Sequence, residues 1–411
     1  MEPDCALELP AGLGGRQGER LRVPLTLGAD VTAVRVAVSG TRSDAVEGES
    51  LRLTVPYGTT LGTVVLESTC DGKTTQHDVN LTVQPLRWTR AAEWTGAGGP
   101  SGREYFATWL DAEHDRVLLY GGFVYQPQQF TPNHELWAYS LSDARWSQLP
   151  LSGDAPASAA GRVVPQPGGG ALYFGGLDDA LSATPYVLKQ LTVDEASARW
   201  SADFPAATGR GEYQPSFFYD ARRDRYLSVC GGSDGVDGMY HCEVRELRLT
   251  GGVATWAPVA VEGLAPGGRN GHAWAYDEAT DRLVLFGGDR GGSTLGDTWV
   301  LDLSSAVPKW TCLFERSEAA QRRRNMGYVL DTRAHRLLVW GGTPDGATAV
   351  EGVQALDLTP GAEQWYQVDA ENAPPARTSA GGVYDAERNR ALLGFGNSAL
   401  GIYVDWWALE L

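Results

Sequence analysis

Along most of the chain the apolar residues gather in short unbroken runs, and each run stops at glycine. Val117-Leu-Leu-Tyr120 is followed by Gly121-Gly122, Ala171-Leu-Tyr-Phe174 by Gly175-Gly176, and Tyr226-Leu-Ser-Val-Cys230 by Gly231-Gly232. The pattern returns as Leu283-Val-Leu-Phe286 before Gly287-Gly288 and as Leu337-Leu-Val-Trp340 before Gly341-Gly342. A worn sixth copy, Ala391-Leu-Leu-Gly-Phe395, precedes Gly396 alone. The closing glycines stand at 122, 176, 232, 288, 342 and 396, at intervals of 54, 56, 56, 54 and 54. A fixed period of this length marks a repeat architecture. Runs that are short and continuous, rather than alternating, predict strands covered on both faces. The glycine pair lets the backbone turn and pack where a side chain does not fit.

Each period holds four strand-sized pieces. The first starts near an arginine: Arg103, Arg162, Arg210, Arg269, Arg323 and Arg377. A short turn follows in five of the six copies, as in Asp111-Ala-Glu-His-Asp115 and Asp277-Glu-Ala-Thr-Asp281, where Asp suits a left-handed backbone. The second piece is the apolar run. The third reads Leu136-Trp-Ala-Tyr-Ser-Leu141, Thr298-Trp-Val-Leu-Asp-Leu303 and Val353-Gln-Ala-Leu-Asp-Leu358. The fourth carries a tryptophan (Trp146, Trp200, Trp256, Trp310 or Trp365), at intervals of 54, 56, 54 and 55, and this regularity predicts a packing role between sheets.

An arginine near the first strand, Gly-Gly after the second and a spaced aromatic pair beyond resemble the Kelch repeat. The closest single match is Arg269-Asn-Gly-His272 with Gly287-Gly288, Trp299 and Trp310. The resemblance spans about residues 86–411 and implies a six-bladed, four-stranded β-propeller of bacterial type, in the superfamily that includes galactose oxidase. Copy two departs from it with Pro165-Gln-Pro167-Gly168 in place of the turn, and copy six puts Phe395 where the first glycine belongs. The last residues, Trp406-Trp-Ala-Leu-Glu-Leu411, match a third strand, so the ring needs a fourth strand from elsewhere. Leu86-Arg-Trp88-Thr89 resembles Ala144-Arg-Trp146-Ser147 and is the expected closing strand, with Trp94 as competitor.

Residues 1–85 lack the repeat. Glu19-Arg-Leu-Arg-Val23, Val31–Val38 and Leu51-Arg-Leu-Thr-Val55 alternate, and Leu61–Thr69 and His77–Val83 continue the series. About six half-buried strands separated by Gly, Asp and Pro turns predict a small antiparallel, immunoglobulin-like sandwich, ending near Gln84-Pro85. The whole chain is therefore expected to be all-β.

Composition adds exclusions. The formal charge of −17 repels phosphates, so no nucleic-acid partner is expected, and no apolar run is long enough to span a membrane. Fifty-one glycines and 22 prolines fit a turn-rich fold, and a hydrophobic fraction of 43% argues against disorder. Of five cysteines, Cys5 and Cys70 bracket the N-terminal segment and Cys230 and Cys242 flank one glycine-rich turn. Two bridges plus a spare Cys312 form the expected set. Disulfides imply an oxidising compartment, hence the periplasm, the cell surface or secretion. Met1-Glu2-Pro3-Asp4 has neither the basic start nor the apolar core of an export signal, and the cytoplasm stays open.

Function in such a ring is expected at the end where the loops after each glycine pair converge: 123–135, 177–185, 233–243, 289–297, 343–352 and 397–405. Loop 123–135 offers Tyr125 and His134 as a ligand wall. At the blade entries Tyr105, Glu212, Tyr213, Asn270, Arg324 and Asn325 are candidates, joined by His241 and Arg290, because the repeat itself does not require them. Arginines among them suit a carboxylate or phosphate. No cofactor is predicted, and calcium, iron and copper stay open. Gly231-Gly-Ser233-Asp-Gly235 fits a hydrolase nucleophile turn without the strand-to-helix setting. Ser233, Asp237 and His241 share the spacing of the iron site in plant Kelch specifier proteins, without its Glu, and Asp234 with Asp237 lacks calcium-loop spacing. The Kelch resemblance also implies two enzyme types. Copper chemistry like that of galactose oxidase would fall to His134 and His241. Acid–base chemistry like that of bacterial sialate mutarotases would fall to Glu212 with Arg210, Arg269 or Arg324. The first reading is a surface or secreted binding module for protein or glycan, and the second is a carbohydrate-acting enzyme in the same pocket. A convergent Glu/Arg/His set with a perturbed carboxylate favours the enzyme, and a flat Tyr/Trp-rich rim favours binding.

Overall fold

The computed structural model describes residues 3–10, 12–38, 45–47, 49–92, 98–126, 129–156, 159–178, 186–202, 204, 210–233 and 240–411. Six antiparallel sheets follow one another around a channel. Blade 1 is Ala107–Asp111, Arg116–Tyr120, Leu136–Ser140 and Arg145–Leu149. Blade 2 is Arg162–Pro165, Ala171–Phe174, Leu188–Val193 and Ala198–Trp200. Blade 3 is Ser216–Asp220, Arg225–Gly232, Tyr240–Thr250 and Val253–Pro258. Blade 4 is Ala273–Asp277, Arg282–Arg290, Ser293–Asp302 and Lys309–Phe314. Blade 5 is Gly327–Asp331, Arg336–Trp340, Val353–Asp357 and Gln364–Val368. Blade 6 has Gly381–Asp385, Arg390–Gly394 and Trp406–Glu410, and takes its outer strand from Leu86–Ala92, with Trp88 opposite Leu409. Pairing across the ends of the chain leaves no open seam in the ring. Trp94 lies outside the described residues.

Local chemistry explains the strand ends. The hairpins between first and second strands turn on Asp115, Asp224, Asp281, His335 and Asn389, all left-handed with φ between 47° and 56°. Copy two makes the same turn with Gly168, Gly169 and Gly170 instead. The fourth-strand tryptophans lock neighbouring blades together. Trp200 meets Tyr120 at 5.0 Å between ring centroids, Trp256 meets Phe174 at 4.8 Å, Trp365 meets Phe286 at 4.5 Å and Trp146 meets Phe395 at 5.8 Å. Each partner stands immediately before the last glycine or glycine pair of its blade, so one contact recurs at successive seams.

The first 85 residues form a four-stranded sheet (Leu13–Arg16, Lys73–Gln84, Leu61–Cys70, Val31–Val38) and a three-stranded one (Arg20–Pro24, Ser50–Thr54, Ala45–Glu47). Leu51, Leu53, Val64, Leu66 and Leu81 are buried in the core that the two sheets share. Cys5–Cys70 staples the N-terminal end to this core, Cys230–Cys242 joins the second and third strands of blade 3, and Cys312 is free. This segment rests on blades 5 and 6 through polar contacts. Arg336 Nη1 donates to the Gln17 carbonyl at 2.6 Å, Arg16 Nη1 to the Leu411 carbonyl at 3.1 Å, and Tyr57 stacks on Tyr366 at 4.4 Å. Among the described residues no helix is long and apolar enough to cross a membrane.

Candidate functional site

The site is framed by the repeated arginine, which is buried at Arg103, Arg269, Arg323 and Arg377. In each, Nη1 donates to a carbonyl of the same blade: Gly121 at 3.0 Å, Gly287 at 3.0 Å, Gly341 at 3.1 Å and Phe395 at 3.2 Å. In three blades a carboxylate completes the set and also accepts from a third-strand tryptophan. Glu135 serves Arg103 and Trp137, Asp297 serves Arg269 and Trp299, and Asp405 serves Arg377 and Trp407. Blade 5 has Gly352 at that place, so among the described residues Arg323 Nη2 has no hydrogen-bond partner, and burial pulls its pKa down to about 10. These guanidiniums are committed to the scaffold.

Two arginines expected in this series stand elsewhere. The backbone carbonyl of the series residue accepts from the glycine pair of the preceding blade, as Arg103 does from Gly396 N and Arg377 from Gly342 N. In blade 3 that acceptor is the Glu212 carbonyl, bonded by Gly176 N at 2.8 Å, so Glu212 holds the arginine position and Arg210 lies two residues upstream. In blade 2 the position is 158, outside the described residues, and Arg162 belongs to the channel-lining first strand.

In four blades the residue after the series position lies at the mouth of the channel and bridges to the strand end of its own blade. Glu104 pairs with Phe123, Asn270 with Asp289, Arg324 with Thr343 and Thr378 with Asn397. All of these but Phe123, together with Tyr105, Gln214, Asn325, Ser379 and Gly346, line a depression of about 400 Å³ that is polar almost throughout. Glu104 is buried and accepts from Asn397 Nδ2, and burial raises its carboxyl to about 7. Arg324 Nη1 meets Asp289 Oδ1 at 2.5 Å, and Asn325 Nδ2 donates to the Tyr105 hydroxyl at 3.3 Å. The site thus presents a carboxyl half-protonated near neutrality, a neutralised ion pair and several amide and hydroxyl groups.

Tyr105, Gln214, Asn325 and Ser379 line both this depression and the channel below it, a space of about 520 Å³. Arg162 lines the channel with its Nε on the Pro215 carbonyl at 2.9 Å, and among the described residues no carboxylate forms an ion pair with it. His272, also on the channel, shares a hydrogen bond with Ser216 Oγ at 2.8 Å. Burial, then Arg269 and Arg162, hold it well below the usual imidazole range, so it is neutral.

A second cluster lies at blade 3 around a fully buried carboxylate. Glu212 is fully buried and accepts from Ser228 Oγ at 2.5 Å and Arg210 Nε at 3.1 Å, with Arg245 Nη1 at 3.5 Å and His241 Nε2 at 3.8 Å. Burial raises the Glu212 pKa against the pull of Ser228 and Arg210, while burial and the two arginines push His241 down to about 3.

The expected site residues therefore divide. Tyr105, Asn270, Arg324 and Asn325 come together in the depression. Glu212 and His241 meet in the blade 3 cluster with Arg210, one of the three arginines expected beside Glu212, while Arg269 is bound to Asp297 and Arg324 to Asp289. Tyr213 bridges to Gly232 and packs its ring over that glycine, leaving its neighbour Gln214 to line the depression. Arg290 is exposed beside Gly267. His134 is exposed in blade 1, its Nδ1 at 3.4 Å from the Tyr120 hydroxyl, so it shares no partner with His241. The side chain of Tyr125 and residues 234–239, which include Asp234 and Asp237, lie outside the described residues. Among the described residues no three His, Cys, Asp or Glu side chains gather as metal ligands. Glu104, Asp289, Thr378 and Asn397 were not named as ligand candidates from sequence, and Arg162 was read only as a series arginine. The signal for most of them is positional: one step after the series arginine, or one step after the glycine pair.

Residues 218–411 match the KLHDC2/KLHL20/DRC7 Kelch-repeats domain family, and within them Arg269, Arg323 and Arg377 and the fourth-strand Trp256, Trp310 and Trp365 are buried at the repeat positions. The propeller is of the Kelch type. The human multiple epidermal growth factor-like domains protein 8 is 31% identical over 193 residues, covering 44% of this chain and 6% of that protein. A putative adagio-like protein 2 of Oryza sativa subsp. japonica is 30% identical over 172 residues, covering 42% of this chain and 26% of that protein. The chain thus spans only a small part of the curated relatives it matches. The solved structure of YjhT shares the fold at 15% identity, with a TM-score of 0.50 over 75% of this chain and 94% of that one. The first 85 residues lie outside the family match.

Proposed function

We propose that this Kelch propeller binds a small hydroxylated, negatively charged ligand of the glycan class, with its hydroxyls in the depression and its charge on Arg162 below. One observation carries the reading: the mouth of the channel is a polar cup that opens onto an arginine with no ion-pair partner among the described residues. A neutral Glu104 donates a hydrogen bond where a carboxylate only accepts. Amides and hydroxyls suit sugar hydroxyls, and a guanidinium suits a carboxylate bidentately. A flat protein partner is less well served, because the cup is concave and lacks the exposed aromatic anchors of a hot spot. The two disulfides support a secreted or surface setting. Calorimetric titration with glucuronate, glucose and a short acidic peptide tests it. Glucuronate is expected to bind, with affinity lost in Arg162→Ala and reduced in Arg324→Ala. Equal binding of glucose, or glucuronate binding that ignores both substitutions, overturns the reading.

The Glu104 carboxyl supports a second reading, acid–base catalysis on the same ligand, because a group titrating near neutrality exchanges protons readily in both directions. Proton NMR of anomer interconversion tests it. Catalysis should follow a titration near pH about 7 and vanish in Glu104→Gln. A rate equal to that of buffer excludes it and leaves binding intact.

A further inference from the structure

The link between blades 5 and 6 is poor in bulky apolar residues. Three residues past the fourth-strand tryptophan, blade 5 packs Val368 on the core as blades 1, 3 and 4 pack Leu149, Val259 and Leu313, but two residues further on the chain feeds the core with Leu151 after blade 1 and Val261 after blade 3. After blade 5 it reads Ala370-Glu-Asn-Ala-Pro-Pro-Ala376. A cavity of about 740 Å³ remains at this seam, within the size range of small-molecule sites. It shares no lining residue with the central depression or the channel.

Its chemistry is one-sided. Trp340 from blade 5 and Trp88 and Trp407 from blade 6 supply the walls. The Trp407 ring is held by its Nε1–H on Asp405 at 2.8 Å and already carries the Arg90 guanidinium 5.2 Å from its centroid. Glu351, Asp369 and Glu371 stand exposed on the lining, and among the described residues none of them forms an ion pair. Arg377, the basic residue on the lining, is bound to Asp405. Tryptophan faces attract cations through the ring quadrupole, and unpaired carboxylates add attraction of the same sign. An anion meets repulsion on this wall.

We propose that the seam between blades 5 and 6 is a second ligand site that takes a hydrophobic organic cation, its apolar body against the tryptophans and its ammonium beside Glu351 and Glu371. Tryptophan fluorescence titration with benzyltrimethylammonium, against benzyl alcohol and benzenesulfonate, tests it on the full chain. The cation is expected to bind saturably and the sulfonate not at all. Glu351→Gln with Glu371→Gln, both exposed and so tolerated by the fold, should weaken the cation about tenfold or more. Ala373→Trp should block the cavity, and Glu104→Gln and Arg324→Ala should leave cation binding unchanged. Absence of saturable binding, equal affinity for the sulfonate, or indifference to the glutamine pair or to the cavity-filling tryptophan overturns the proposal.

Discussion

Replacing Glu104 by glutamine gives a pH-dependent effect whose size follows from the site. Its carboxyl moves from an ordinary 4.5 to about 7 on folding, because burial beside Asn397 penalises the charged form. At about 1.4 kcal/mol per tenfold change in proton affinity, that displacement corresponds to about 3 kcal/mol. Between pH 4.5 and about 7 the folded protein keeps a proton that the unfolded chain has released, so stability falls as pH rises through this window. Below the window both states are protonated and Glu104 has no effect. Above it the whole deficit is present. Glutamine keeps the shape and the acceptor for Asn397 Nδ2 but cannot ionise. Glu104→Gln should therefore match wild type at about pH 4 and exceed it by about 3 kcal/mol at about pH 8. Guanidinium unfolding followed by tryptophan fluorescence across that range measures the difference. Parallel stability profiles for the two proteins refute the reasoning, because they mean that Glu104 is charged at neutrality like any exposed glutamate.

Arg269→Met should cost about 3–5 kcal/mol, since it strands a carboxylate and two carbonyls, while Arg323→Met, which breaks no ion pair, should cost about 1–2 kcal/mol. Denaturant midpoints of the two variants decide it, and equal losses contradict the role given to Asp297. Deleting Trp406–Leu411 removes the strand that joins Leu86–Ala92 to blade 6, so the chain should lose its cooperative melting transition in calorimetry. A soluble truncation with a sharp transition contradicts it. Tyr57→Ala should lower stability by about 1–3 kcal/mol, through loss of the Tyr366 stack and of the contact with Arg336, as read from thermal unfolding.

The propeller was legible because its physics repeats. A blade needs a covered strand, a glycine turn and a packing tryptophan, and the sequence carries all three in five successive copies, with a worn sixth that Trp88 completes. The site was only partly legible, for the opposite reason. Asn270, Arg324 and Asn325 show themselves as departures from the repeat, but Glu104 looks like an ordinary charged residue until the ring closes and buries it against Asn397, nearly three hundred positions away in the chain. Arg162 and Arg210 were assigned by nearness to the strand start, whereas the carbonyl bonds from the preceding blade fix the position two residues before a left-handed turn. Glu212 attracted notice for its company of arginines, and three-dimensional placement kept Arg210 in that company and put Arg245 there instead of Arg269 or Arg324. The void between blades 5 and 6 follows from alanines and prolines in one link, a shortage that becomes visible only beside the bulky residues at other seams.

A crystal structure of the protein soaked with glucuronate tests the central claim most directly. The account predicts sugar density in the depression, with hydroxyls within hydrogen-bonding reach of Glu104 and Asn270 and the carboxylate on Arg162. Glucuronate bound elsewhere on the ring, or a depression that stays empty at saturating ligand, would contradict it.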